Sequence, residues 1–162
     1  MRNGLLQWIA VLLATTLIVG CGFQLRDQYQ LPPSLQQVYL QAPKFSEFAN
    51  VFEQRLSLAG VELVDADPGL VIAINRDELS RRTLSLSGSG QVAEYELIYS
   101  VDYSINEANK DPVDLRIEVY RDYQDDPNFA LAKTRERELL VAEMREEAAR
   151  RMLRQILAQL AE

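Results

Sequence analysis

The sequence predicts an α+β two-layer sandwich, in which two helices pack on one face of a mixed four-stranded sheet in the chain order β-α-β-β-β-α. Two patterns carry this prediction. Between Tyr95 and Ile105, apolar and polar residues alternate with a period of two, which is typical of a half-buried antiparallel strand. From about Ala130 to Ala161 there is no glycine or proline, and strong helix formers dominate. A sheet and helices that are each apolar on one side bury those sides against one another.

The first predicted strand and helix precede these patterns. A short strand covers 36–41 and ends before Pro43, which cannot continue a ladder of hydrogen bonds. Ser46 is placed as the N-cap of a helix over about 46–59, and Gly60 marks the end of that helix. Core positions are assigned to three phenylalanines at or near its start: Phe45, Phe48 and Phe52.

Three further strands and a second helix complete the order. One strand covers 70–86, the alternating strand follows a Ser-Gly break, and a fourth strand contains 115–119. The crossover through the first helix favours a parallel pair between the first two strands, while the last three strands form an antiparallel meander. On the polar side of the second helix, Glu147 and Arg151 lie one turn apart. The apolar stripe of this helix consists of residues at helical spacing: Val141, Met144, Ala148, Met152, Ile156 and Leu160.

Composition disfavours several functional classes. The chain of 162 residues has a formal net charge of −7, which disfavours nucleic-acid binding because that binding needs lysine and arginine against phosphates. It contains no histidine, which removes Ser-His-Asp catalysis, Cys-His catalysis and imidazole metal sites. Asp125 and Asp126 fit turn chemistry better than a calcium loop. We therefore expect no enzymatic activity, no metal and no cofactor.

The N-terminus has the layout of a secretory signal. A positive charge precedes a short apolar stretch over 5–19, and Gly20 stands before Cys21, the only cysteine. The stretch is shorter than the roughly 20 apolar residues that span a bilayer comfortably. Residues 18–21 resemble a bacterial lipobox, which implies cleavage of the signal peptide 1–20 and acylation of the new N-terminal thiol. The alternatives are an ordinary signal peptide or a weak membrane helix.

An acylated cysteine implies a permanent membrane anchor. The resemblance to lipoproteins implies a diacylglycerol and an N-acyl chain on Cys21, and two or more chains hold a protein stably at ~0.8 kcal/mol per buried methylene. Gly22 stands where lipoproteins of the inner membrane typically have aspartate, so we expect attachment to the periplasmic leaflet of the outer membrane. Residues 21–33 then form a lipidated tether, and 34–162 form a single domain.

Five blocks of the chain resemble the LptE family of lipopolysaccharide-assembly lipoproteins, and they occur in the family's order behind the lipobox. The blocks are CGFQLR at 21–26, GVEL at 60–63, GQVAEY at 90–95, YRD through DP at 120–127 and ALAK at 130–133. The resemblance implies a lipoprotein that sits inside the LptD β-barrel, assists its assembly and binds lipopolysaccharide during insertion into the outer leaflet. It implies no catalysed reaction.

The resemblance and the charge distribution name candidate contacts with lipopolysaccharide. Lys133 falls in the ALAK block, which implies a place on the lipopolysaccharide-contacting surface of the family. Arg81 and Arg82 are chosen from charge alone, because arginine suits phosphate and they form the densest basic cluster before the second helix. Some family members have a basic residue in the turn before Gly90, where this chain has Ser-Gly-Ser at 87–89. The resemblance also favours barrel contact by a hairpin tip: Leu84, Leu86, Gly88, Gly90 and Gln91.

Two other classes fit parts of the sequence. A pilotin-like lipoprotein chaperone for another outer-membrane multimer would use the same anchor and fold, but the five blocks favour the LptE family. A periplasmic hydrolase would need two carboxyl groups placed as acid and as nucleophile or base. The acidic residues instead fall on outward strand positions, such as Glu94, Glu96 and Asp102, or on the solvated side of the second helix.

Overall fold

The computed structural model describes residues 31–65 and 69–161, so the predicted signal peptide, Cys21 and most of the tether lie outside the described residues. The strands are β1 Gln37–Gln41, β2 Glu62–Leu63, β3 Leu70–Leu86, β4 Val92–Glu107 and β5 Val113–Gln124, and the helices are α1 Glu47–Leu58 and α2 Ala130–Gln159. Within these described ranges, no helix is long and apolar enough to cross a membrane.

The sheet has five strands in the order β2-β1-β3-β4-β5. β1 runs parallel to both β2 and β3, while β3, β4 and β5 form an antiparallel meander. The α+β class, the parallel crossover pair and the meander are confirmed, but the prediction of four strands is wrong. The fifth strand, β2, has two residues, which is too short for any alternation to appear in the sequence. It is joined to β1 by the Glu62 N–H, which donates to the Gln36 carbonyl at 2.8 Å.

The core lies between the sheet and the two helices. Phe48 and Phe52 of α1 are fully buried and stack with their ring centroids 6.1 Å apart. Phe48 also packs against Tyr99 of β4, at a centroid distance of 6.2 Å. The predicted stripe of α2 is buried from Val141 to Ile156. The two apolar faces predicted from periodicity therefore meet as expected.

At the start of α1, the predicted N-cap is confirmed, but the predicted core position of Phe45 is wrong. The Ser46 side chain is the N-cap, since its hydroxyl accepts a hydrogen bond from the Ala49 N–H at 3.1 Å. Phe45, however, is 98% exposed rather than in the core. It precedes the cap and has a backbone φ of 66°, so it does not belong to the helical stripe that Phe48 begins.

A β-bulge in β3 decides which of its residues face the helices. The register with β4 shifts between Ile74 and Arg76, which leaves Asn75 as an extra residue. After the bulge, Asp77 lies on the helix side, where its carboxylate accepts a hydrogen bond from the Tyr99 hydroxyl at 2.7 Å. From Asp77 to Thr83, odd-numbered residues of β3 therefore lie on the helix side and even-numbered residues lie on the outer face, until the register shifts again between Thr83 and Ser85.

Glu147 links α2 to β5. Its carboxylate pairs with Arg121 of β5 and with Arg151 one turn further along α2, so the predicted pair within the helix forms. The hydrogen bond from Arg121, followed by that from Arg151, lowers the pKa of Glu147 below its ordinary value of 4.5. The ionised carboxylate thus contributes to the docking of the helix on the sheet.

The substitution Glu147→Gln is expected to lower the free energy of unfolding at neutral pH by up to about 1 kcal/mol, as for other partly exposed ion pairs. A lowered folded-state pKa means that this contribution is present above pH 4.5 and is lost as the pH falls through the folded-state pKa. Urea unfolding at neutral pH and well below pH 4.5 will therefore show a difference that shrinks in acid. Glu143→Gln, at an exposed position of the same helix, is the control. An acid-independent difference for Glu147→Gln would contradict this assignment.

Candidate ligand-binding site

A hollow of about 760 Å³ lies between α2 and the far part of the β3–β4 ladder. β1 pairs with β3 only at 71–73, so β3 and β4 continue well past it towards their shared turn. Leu97 of β4 and Val141 of α2 are buried in the wall of the hollow, and Leu79 of β3 is partly exposed there. We call this cavity the arginine hollow, because three arginines also line it.

Two of these arginines have no ion pair within the part of the chain that the structure describes. Arg81 extends from β3 with its guanidinium 4.6 Å from the centroid of the Tyr95 ring. Arg137 reaches the same hollow from α2. Glu138 lines the rim, and it likewise has no ion pair among the described residues. The guanidinium groups of Arg81 and Arg137 are therefore available to an anion that enters the hollow.

The third arginine has a structural role. Arg145 of α2 pairs with Glu47 at the start of α1 at 2.7 Å, and its guanidinium lies 5.8 Å from the Tyr99 ring centroid. The Tyr99 hydroxyl donates to Asp77, and burial together with that hydrogen bond raises the pKa of Tyr99. The Ser46 hydroxyl donates to the same carboxylate at 3.1 Å. This network fixes α1, α2 and the sheet relative to one another beside the hollow.

Arg82 lies on the other side of the sheet from Arg81. It pairs with Glu96 of β4 at 2.6 Å on the outer face. The two residues are adjacent in sequence, and strand geometry sends adjacent side chains to opposite faces. The basic cluster predicted from the sequence is therefore divided, and only Arg81 lines the arginine hollow.

Lys133 lies beside a second hollow of about 410 Å³, which it shares with Leu84 from the hairpin. Its ammonium group pairs with Glu136 at 2.8 Å and lies 5.3 Å from the Tyr123 ring centroid. The hydrogen bond to Glu136 raises the pKa of Lys133, so the side chain stays charged. Glu94 and Asp122 also line this hollow. Lys133 is thus a cation in surroundings that are acidic overall.

The hairpin tip has a tight turn and exposed leucines. The Gly90 N–H donates to the Ser87 carbonyl at 2.9 Å, and Gly90 has a φ of 81°, which suits glycine. Leu84 is 45% exposed and Leu86 is 61% exposed. Gly88 has open space around the position of a β-carbon. The tip therefore presents apolar side chains to solvent next to the hollow of Lys133.

The acidic residues of the outer face are engaged with neighbours rather than paired with each other. Hydrogen bonds from Ser85 and then Gln124 lower the pKa of Glu94. Arg116 of β5 pairs with Asp102 at 3.1 Å. No group of three or more potential ligands in 31–65 and 69–161 could hold a metal ion. These hydrogen bonds tie the acidic side chains of the outer face to neighbouring strands.

Sequence reasoning missed Arg137, although a usable signal was present. Arg137 follows Lys133 by four residues and precedes Val141 by four, which places it on the edge of the stripe that faces the sheet. Residues on this edge border the core while keeping a charged end in solvent. The missing information was the bulge at Asn75, which turns Arg81 towards the same edge.

The fold and the hollows define a class: a two-layer α+β domain whose surface hollows are lined by charged and apolar side chains. The comparisons give the family. A family model described as LptE, lipopolysaccharide-assembly, matches residues 35–156, and the chain belongs to this LptE family. The family is a non-enzymatic one that acts in lipopolysaccharide assembly.

Relatives and a solved structure agree with this placement. The chain is 33% identical over 150 residues to the LPS-assembly lipoprotein LptE of Yersinia enterocolitica and 35% identical over 150 residues to that of Yersinia pestis. Each match covers 90% of this chain and 72% of the relative. The crystal structure of rare lipoprotein B from Shewanella oneidensis is 42% identical with a TM-score of 0.72, covering 77% of this chain and 96% of that one.

Proposed function

We propose that the protein is an outer-membrane lipoprotein, anchored in the periplasmic leaflet through acylated Cys21, that plugs an LptD-type β-barrel. In this proposal it assists assembly of the barrel and binds lipopolysaccharide during insertion into the outer leaflet. Membership of the family supplies the process, which is lipopolysaccharide assembly. The barrel, the ligand and the outer-membrane location are the parts that we propose.

The observation that carries the proposal is the meeting of cationic and apolar groups at one end of the molecule. The hairpin brings Leu84 beside Lys133 of α2. Arg81 lies nearby on β3, two residues before Thr83 and on the same side of the strand, and Thr83 is the neighbour of Leu84. Lipopolysaccharide carries phosphates on its lipid A and inner core, together with acyl chains. Cations that neighbour exposed apolar side chains fit both parts of such a ligand.

The length of the β3–β4 ladder supports contact with a barrel. Beyond its last pair with β1, at Ala73, β3 runs on to Leu86, a distance of roughly 40 Å at about 3.3 Å per residue. The three-stranded end of the sheet, with the hairpin tip beyond the last β4–β5 pair at Glu94, can enter a lumen ahead of the rest of the domain. The exposed leucines Leu84 and Leu86 are then buried against the inner side of the barrel.

A Gram-negative host depleted of its own LptE-family protein tests this function. The full chain, expressed with its own leader, is expected to restore the amount of assembled barrel and the exclusion of a hydrophobic dye from the cell. The double variant Leu84→Asp/Leu86→Asp will restore both poorly, because it places charges where apolar burial is proposed. Leu139→Asp, at an exposed leucine on α2, is the matched control. Failure of the unmodified chain to restore either property would count against the function.

A further inference from the structure

We propose that the arginine hollow holds a phosphate group of lipopolysaccharide between Arg81 and Arg137, as a site separate from Lys133. The inference rests on the proposed binding of lipopolysaccharide and adds the place and the residues. The first support is electrostatic. The arginine hollow is lined by three arginines and two glutamates, whereas charged residues around Lys133 are Glu94, Asp122 and Glu136.

The second support is the state of each cation. Lys133 is already paired with Glu136 at 2.8 Å. Arg82 is paired with Glu96 on the outer face. Arg81 and Arg137 have no ion pair among the described residues, so an incoming phosphate does not first have to displace a carboxylate from them. Guanidinium groups also present paired N–H donors that match phosphate oxygens.

The third support is the shape of the hollow and its apolar surface. Its volume of about 760 Å³ lies within the range of roughly 300–1,000 Å³ that is usual for small-molecule sites. Leu79, Leu97 and Val141 provide an apolar wall beside the two guanidinium groups. A phosphorylated amphiphile can therefore place its phosphate on the arginines and part of an acyl chain against the leucines and valine.

The glutamates of the hollow do not cancel this charge. Glu47 is occupied by Arg145 at 2.7 Å, so its negative charge is already compensated. Glu138 remains as one carboxylate at the rim, against the two guanidinium groups of Arg81 and Arg137. The local balance therefore favours an anion, although the whole chain has a net charge of −7.

Equilibrium binding of purified lipopolysaccharide to the full chain, expressed with its own leader and purified in mild detergent, tests the site. Arg81→Gln and Arg137→Gln are each expected to weaken binding about tenfold, the loss that follows from one hydrogen bond to a charged group. The matched controls are Arg82→Gln, the next residue on β3, and Arg135→Gln, exposed on α2. Both controls will bind within about twofold of the unmodified chain.

A second measurement is independent of charge. A photoreactive phenylalanine analogue in place of Leu79 will crosslink to lipopolysaccharide in living cells, whereas the same analogue in place of Glu78, on the outer face, will not. Competition identifies the source of the phosphate: inorganic phosphate or phosphatidylglycerol micelles that displace lipopolysaccharide at equal concentration would overturn the assignment to lipopolysaccharide.

The outcomes separate this inference from the proposed function. If the unmodified chain binds no lipopolysaccharide, the proposed ligand itself is wrong. If the unmodified chain binds and the double variant Arg81→Gln/Arg137→Gln binds equally well with an unchanged circular dichroism spectrum, only the arginine hollow is overturned.

Discussion

Replacing Phe48 with alanine is expected to lower the free energy of unfolding by about 3–5 kcal/mol, which is a large part of the 5–15 kcal/mol typical of a domain. Phe48 is fully buried, stacks on Phe52 and packs against Tyr99 of the sheet. Removing its ring leaves a cavity where α1, β4 and the aromatic cluster meet. Guanidinium unfolding followed by circular dichroism measures the change.

Phe45→Ala is the matched control for Phe48→Ala. The two phenylalanines are three positions apart, but Phe45 is 98% exposed. Its substitution will change the free energy of unfolding by less than about 0.5 kcal/mol, as is usual for surface positions. Equal losses for the two variants would mean that the core does not begin at Phe48.

Replacing Cys21 with serine is expected to remove the protein from the outer-membrane fraction. The proposed acyl chains are the source of membrane attachment, and each buried methylene contributes ~0.8 kcal/mol, so removing all chains removes the anchor. Cell fractionation and the intact mass of the purified protein measure the effect. The unmodified chain will carry the mass of its acyl groups, and Cys21→Ser will lack it.

Gly22→Asp is the companion variant for Cys21→Ser. It keeps the acylated cysteine but introduces the residue that is typical of inner-membrane lipoproteins, so the protein is expected in the inner-membrane fraction. Retention of Cys21→Ser in the outer membrane after a high-salt wash would contradict the lipid anchor. The domain would then be held there by protein contacts alone.

Most of the fold was predictable because apolar residues recur along the sequence with the period of a strand or of a helix. The alternation from Tyr95 to Ile105 marked β4, and the glycine-free and proline-free segment marked α2. The two-residue strand β2 was not predictable, because it depends on a neighbour, β1, and has no period of its own. Phe45 was misplaced because a left-handed residue just before an N-cap leaves no periodic signal.

The candidate site was predictable only in part. Lys133 could be named from a matching block, and its pairing with Glu136 follows from a spacing of three residues on a helix. The separation of Arg81 from Arg82 is a consequence of strand geometry, but the face that each takes depends on the bulge at Asn75. An extra residue in one strand reverses the faces of the residues that follow it up to the next irregularity, and this chain gives no sequence signal for where that reversal occurs.

Stoichiometric purification with a barrel partner is the sharpest test of the proposed role as a barrel plug. The full chain with a C-terminal tag, expressed with its own leader, would be isolated from the outer membranes of a Gram-negative host in mild detergent. We predict one barrel of LptD size for each tagged chain, and retention of that barrel through a high-salt wash. A tagged lipoprotein that is isolated from the outer membrane without any barrel would contradict the proposed role as a barrel plug.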